Sequence, residues 1–295
     1  MRKKVDVSVI IVNYKVQFEV FSCIESIFKS KPKISFEIIV VDNSEKDLIS
    51  RKLKTKFPQV KYILPSGNLG YGAGNNLGVK NAGGEFVLIL NPDTRFENNI
   101  LDILFKFVKK NKKAGAVSPL LLKENGQTYY PQGSLELTPL NAVFSVSILN
   151  KIFPNNPIAK RFWIGGENFK EMRRVDVFPG TCFLINKNLF EKVGGYDENF
   201  FLYFEENDLS NRLRKLGYKL FIDPNAKLLH KLGVSTEKNP ESKKYFQKSR
   251  FLYFRKNYGL LKAVPTELFL RIDKKVLFLI IIFSIGAILR LYRLP

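Results

Sequence analysis

The run FVLILNPDT at residues 86–94 limits the fold more than any other stretch of this chain. Five apolar residues follow one another from Phe86 to Leu90, between Gly83-Gly84 and Asn91-Pro92. Such a run between turn residues predicts a strand covered on both faces. Pro92 has no amide hydrogen for a central ladder, so the strand ends before it. Asp93 then stands just past the carboxyl end of a buried strand, the edge where open α/β sheets bind ligands. A carboxylate there suits a hard divalent cation that bridges to phosphate. The alternative is that Asp93 caps a helix beginning near Glu97, a role that Asp favours.

The same pattern recurs along the chain. Residues 5–12 predict a central strand with Asn13-Tyr14 at its end, and residues 36–41 a second one ending in Asp42-Asn43-Ser44. Residues 60–64 predict a short third strand. Helical periodicity covers residues 18–29 and 48–57, and a glycine-rich turn at residues 67–78 runs into a helix to about Asn81. Strands alternating with such helices predict βαβ units around a mostly parallel sheet. Further on, residues 100–110 predict a helix, 116–122 a strand and 127–175 a loop-rich insertion over the site. Residues 177–186 predict a strand, 189–193 and 209–216 helices, and 219–224 and 226–230 two more strands. Beyond residue 235 the composition turns basic and aromatic. Residues 276–289 form a 14-residue apolar run flanked by Lys274, Lys275, Arg290 and Arg293. The expected organisation is an α/β domain over residues 1–235 and a helical extension over 236–295.

Lys and Arg number 48 against 27 Asp and Glu, a net charge of +21. That excess points to an anionic partner, either phosphate-rich or an anionic membrane surface, although a Lys-rich habit accounts for part of it. Nucleic acid is not expected, because no recognised module or aromatic-interleaved basic repeat is visible. Cys23 and Cys182 show no metal spacing and fit a reducing compartment. The opening MRKK and the apolar residues after it resemble a signal peptide only superficially: the run is short, contains Asp6 and lacks a small-residue cleavage site.

Three constellations could carry chemistry. The glycine-rich turn is not a dinucleotide fingerprint, since Asn75 stands where Gly is needed and Asp42 precedes the motif. It is not a P-loop either, because no Gly-Lys-Ser/Thr follows. Its glycines and amides at a helix start can still donate to a phosphate or sugar. Glu205-Glu206-Asn207-Asp208 opens a helix, where acids balance the dipole. The cluster also follows an aromatic run, Phe200–Phe204, and a carboxylate against such a wall can become a base at useful pH. His230 is the only histidine; it is either structural or a neutral imidazole that joins Asp93 on a divalent ion.

Taken in order, VVDNS (residues 40–44), NLGYGAGNN (68–76), LNPDT (90–94), FPGTCFLI (178–185), GGYDENFFLYFEENDLSNRLRKLGY (194–218) and His230 resemble the family 2 glycosyltransferases, and within them the bacterial rhamnosyltransferase-like branch. The resemblance covers about residues 5–235. It implies a GT-A, Rossmann-like fold, a nucleotide-sugar donor such as dTDP-rhamnose, a divalent metal (Mg2+ or Mn2+) and inversion at the anomeric carbon. Asn13, Tyr14, Asp42 and Asn43 would then hold the nucleoside end of the donor, and Asn68, Gly70, Asn75 and Asn91 would line the rest. Asp93 and His230 would hold the metal. Glu206 would be the base, with Glu205 and Asp208 beside it, and Gly180 and Thr181 would lie on the acceptor side. Two positions depart from the family pattern: Asn91 replaces the first acid of the Asp-x-Asp motif, and Glu206 is one methylene longer than the usual Asp. The resemblance also implies a glycan or lipid-linked acceptor in cell-surface polysaccharide synthesis. The 276–289 helix would lie on the cytoplasmic membrane surface or dip into it; otherwise it packs on the domain or in a homodimer. The rival reading is a non-catalytic nucleotide-sugar or membrane-surface binding protein that keeps the fold.

Overall fold

A computed structural model of the chain describes residues 4–44, 46–166, 169–231 and 241–272. The apolar run at 276–289, and the membrane role expected of it, lie outside those residues. In the first half, β1 (Val5–Asn13), α1 (Gln17–Lys29), β2 (Phe36–Asp42), α2 (Ser50–Lys56), β3 (Lys61–Ile63), α3 (Tyr71–Lys80) and β4 (Gly84–Leu90) follow the expected alternation. β5 (Thr94–Phe96), α4 (Ile100–Lys110) and β6 (Ala114–Leu122) come next. Then come β7 (Gly133–Ser134), α5 (Pro139–Ser145), α6 (Ile148–Ile152), α7 (Pro157–Phe162), β8 (Trp163–Ile164) and β9 (Arg173–Val175). The last elements are β10 (Cys182–Asn186), α8 (Lys187–Lys192), α9 (Glu205–Lys215), β11 (Lys219–His230), α10 (Ser242–Tyr258) and α11 (Leu260–Leu270).

The main sheet runs β3-β2-β1-β4-β10-β6-β11-β5, with β9 on β11. β1, β2, β3 and β4 are mutually parallel, and β10 enters antiparallel between β4 and β6. The period of two along β1 sends Val7, Val9 and Ile11 into one core layer and Ile10 and Val12 into the other. The first layer is closed by α1 and α4 through Ile24, Ile27 and Leu104; the second takes in Val79 of α3 and Leu209 of α9. Both faces are covered, so the strand sequences carry almost no polar residues.

Four expectations change in detail. Asp93 caps no helix: residues 94–96 extend as β5, and α4 starts at Ile100 behind Asn99, whose side chain accepts from the Asp102 amide. The strand expected from residue 177 begins only at Cys182, after Pro179 has left the ladder. The two strands expected at 219–230 are one, β11, whose register against β6 shifts between Asp223 and Lys227, where Pro224 and Asn225 bulge out. The 127–175 stretch holds three short helices besides its loops.

The chain divides into two units, residues 1–136 with 163–253 and residues 137–162 with 254–295. The sheet lies in the first. In the second, α5 packs against α6, α7 and α11. Among the described residues no helix is long and apolar enough to cross a membrane.

Candidate active site

The parallel register puts the ends of three strands at one edge. Asn13 pairs with Asp42, and Ile11 with Leu90, so Tyr14, Asn43 and Asn91 all emerge there. A cleft at this edge is lined by Tyr14, Asn43, Asn68, Gly70, Tyr71, Asn91 and Pro92, with Phe201 and Leu202 on its far wall. Asn13 and Asp42 lie beneath it, fully buried. Asn13 Nδ2 donates to Asp42 Oδ1 at 2.8 Å, and the Tyr62 hydroxyl donates to Asp42 Oδ2 at 3.0 Å. Both Asp42 oxygens are therefore occupied within the protein, and Tyr14 and Asn43 are the neighbours that reach the cleft.

The glycine-rich turn has two jobs. Gly70 adopts φ +85°, and a Cβ there would meet the Phe201 carbonyl oxygen at 2.4 Å, so only glycine fits. The turn is closed by Asn68 Oδ1, which accepts from the Gly70 amide, and by Asn43 Nδ2, which donates to the Gly70 carbonyl. Gly78 serves packing instead: a Cβ there would lie 2.3 Å from Ile10 Cγ2, so α3 settles directly on β1. Asn75 is buried and donates to the Tyr71 carbonyl, off the cleft wall.

Asp93 and His230 are 137 positions apart and meet because β5 runs antiparallel to β11, with Thr94 opposite His230. His230 Nε2 lies 3.5 Å from Asp93 Oδ1, and both side chains are buried. Asp93 Oδ1 accepts no hydrogen bond from the described residues. An unsatisfied buried carboxylate oxygen costs on the order of 1–3 kcal/mol or more, which a cation contact would remove. Among the described residues no group of three or more His, Cys, Asp or Glu gathers to hold a metal alone. One carboxylate and one imidazole nevertheless suit a divalent ion whose other ligands are phosphate oxygens and water. Cys23 lies nearby, its Sγ 3.6 Å from Thr94 Oγ1, but burial pushes its thiol up to about 12, so it offers no thiolate.

Tyr71 joins this edge to the acids. Its hydroxyl lies 2.8 Å from both Asn91 Oδ1 and the Gly180 carbonyl oxygen. Gly180 in turn packs on Glu206, since a Cβ built on it would touch Glu206 Cβ and Cγ at 3.4 Å. Thr181 accepts from the Asn91 amide at 2.8 Å, tying the start of β10 to the same corner. Glu205 and Glu206 open α9 behind two aromatic residues in left-handed backbone, Tyr203 at φ 70° and Phe204 at φ 68°. Bulky residues are held there only when their surroundings over-determine them. Here the ring of Phe246 packs on both, and Tyr253 adds to Phe204. Burial, reinforced by the neighbouring Glu206 charge, raises the Glu205 carboxyl well above the ordinary range; burial also raises that of Glu206. Asp208 is different: it is fully buried and ion-paired with Arg212 Nε at 2.8 Å. Tyr71, Phe201 and Leu202 are site residues that motif reading passes over. The one aromatic inside a glycine-rich turn and the apolar run before the acids were the available signals.

These features, a cleft at a parallel-sheet edge whose Tyr71 reaches Gly180 beside Glu206, fit one class of protein, and the comparisons with known proteins agree. The glycosyl transferase family 2 profile matches residues 8–194, and the chain belongs to that family. Its relatives include the N-acetylglucosaminyl-diphospho-decaprenol L-rhamnosyltransferase of Mycobacterium tuberculosis (strain CDC 1551 / Oshkosh), 27% identical over 70% of this chain and 69% of the relative. The rhamnosyltransferase WbbL of Escherichia coli (strain K12) is 27% identical over 66% of this chain and 72% of its own. Among solved structures, GalNAc-T7 with UDP, GalNAc and Mn2+ superposes with a TM-score of 0.60 at 18% identity, over 88% of this chain. The chain spans about half the length of that structure, 52%. The fold is GT-A.

Proposed function

We propose that this chain is an inverting, divalent-metal-assisted glycosyltransferase. It moves a sugar from a nucleoside diphosphate donor, with dTDP-rhamnose the first candidate, to a hydroxyl of a glycan or lipid-linked acceptor. The observation that carries the reading is the Asn91–Tyr71–Gly180–Glu206 connection, which links the donor end of the cleft to a pair of carboxyls of raised proton affinity. Glu206 takes the proton from the attacking hydroxyl, a poor nucleophile until it loses that proton. Inversion requires this base on the face of the sugar opposite the leaving group. With its Oδ1 beside the Tyr71 hydroxyl, Asn91 offers its amide nitrogen to donor oxygens where a carboxylate would repel them. Asp93 and His230 would hold the metal, which when bound stabilises the charge developing on the departing diphosphate.

The names of the relatives support rhamnose and a lipid-linked acceptor. Residues 1–235 would carry the transfer chemistry and 236–295 would bring it to the cytoplasmic face of the membrane. The test is a panel of nucleotide sugars offered to purified protein, with nucleoside diphosphate release as the readout. Release from one deoxythymidine-diphosphate sugar is expected. Tight donor binding without release, with or without Mn2+ and acceptor, would instead favour a non-catalytic binding protein.

A further inference from the structure

Helix α11 turns apolar side chains outward and polar ones inward. Ala263, Thr266 and Glu267 are its buried residues. Leu261 is 94% exposed, Leu268 64%, Leu260 58% and Val264 41%. At about 100° per residue, the four exposed apolar side chains share an arc of about 100°, and the three buried residues fall outside it. The polar residues on the inner side are satisfied locally. Glu267 pairs with Arg271 Nε at 2.8 Å, and Thr266 Oγ1 donates to the Lys262 carbonyl at 2.7 Å. The other helices of this unit add exposed Leu140 on α5, Ile152 on α6 and Phe153 just after it. Scattered exposed leucines need no explanation, but a whole helical stripe of them marks an interaction surface.

Charge decides what that surface takes. Residues 137–162 and 254–272 carry seven lysines and arginines and a single acid, Glu267, which is buried. An exposed apolar stripe on a unit with this basic excess matches an anionic bilayer, where leucines enter the acyl boundary and cations meet headgroups. After Ile272 the chain continues into Lys274, Lys275 and the apolar run 276–289.

We propose that the outward face of α11, with the exposed apolar residues of α5 and α6, is a docking surface for an anionic lipid bilayer. It deepens the membrane reading above, which gave that role to residues 236–295 and their apolar run without naming a contact face, and depends on no step of the transfer reaction. The test is flotation of the full-length protein with vesicles of phosphatidylcholine, alone or mixed with phosphatidylglycerol. Wild type should float with the mixed vesicles, less so at high salt. Leu261→Glu combined with Leu268→Glu should lower that partition at least ~10-fold with the unfolding midpoint and nucleoside diphosphate release unchanged. Leu216→Glu, at an exposed leucine of the first unit, should float like wild type. In a second measurement, Leu268→Cys is labelled with a polarity-sensitive fluorophore; Cys23 and Cys182 are buried and will not compete. Its emission should shift to the blue only when anionic vesicles are added. Wild-type flotation of the double variant would overturn the proposal. So would a label already in an apolar setting without lipid, which means the chain covers its own face, or a wild-type dimer that the double variant dissolves. Failure of donor turnover would sink the transferase reading and leave the flotation result standing.

Discussion

At the scale of single residues, one phenolic oxygen holds the two sides of the site together. Tyr71→Phe keeps the ring and removes the contacts to Asn91 and Gly180. It should lower kcat about 10-fold, on the order of one lost hydrogen bond between polar partners, with a small change in the donor KM. Steady-state kinetics separates the two. The acids predict more. Glu206→Gln should depress kcat at least ~100-fold, as loss of a general base does, while donor binding by calorimetry stays near wild type. If Glu205→Gln is the crippled variant instead, the base is Glu205. The raised carboxyl of Glu206 also sets the pH profile: activity should fall as pH drops through its elevated value, because the protonated acid accepts nothing. Stability runs the other way. Glu205 binds its proton more tightly folded than unfolded, so folding is favoured below the unfolded value and loses that support as pH rises through the folded one. Glu205→Gln should therefore raise Tm at neutral pH by about 2 °C or more and flatten its pH dependence, measured by thermal melts from pH 4 to 8.

At the scale of elements, the glycine-rich turn and α3 are governed by contact distance. Gly78→Ala would drive a methyl into Ile10 and should cost about 1–3 kcal/mol by overpacking. Thermal unfolding should show it as a lower Tm with donor affinity nearly intact. Gly70→Ala should damage both, since that position needs positive φ and borders the cleft. The strands β1, β2 and β4 and their polar ends were legible in the sequence because apolar runs bounded by turn residues have one economical reading. β5 was not, because Thr94, Arg95 and Phe96 are too few to show a period; only pairing with β11 makes them a strand. The break expected at Pro224 became a bulge for the same reason, since β6 holds both halves of β11 in one ladder. The helices α5, α6 and α7 have five to seven residues each, below the length at which periodicity separates helix from loop. Of the site, the acids and Asp93 announced themselves by type and position. Tyr71 did not, since an aromatic in a turn has many uses and only its two partners give it this one.

At the scale of the whole molecule, the metal reading is the one to test by removal. Asp93→Ala should lower turnover at least ~100-fold, as loss of a transition-state charge stabiliser does. A chelator should do the same to wild type, with recovery on adding Mn2+ or Mg2+; near-normal rates in either case would end that reading. The pairing of β5 with β11 also bears on how the protein is made. Synthesis runs from the N-terminus, so β1 to β4 and β6 leave the ribosome long before residue 219 appears. Until then β5 has no ladder partner, Asp93 has no histidine, and one edge of β6 stays open. An open edge is a template for other chains, so the interval between β6 and β11 exposes the growing chain to aggregation. A chain stalled there would hold Tyr14, Asn43, Asn68 and Asn91 of the cleft without the Asp93–His230 pair. Formation of β11 is therefore the step that closes this edge of β6, gives β5 its ladder and brings His230 to Asp93.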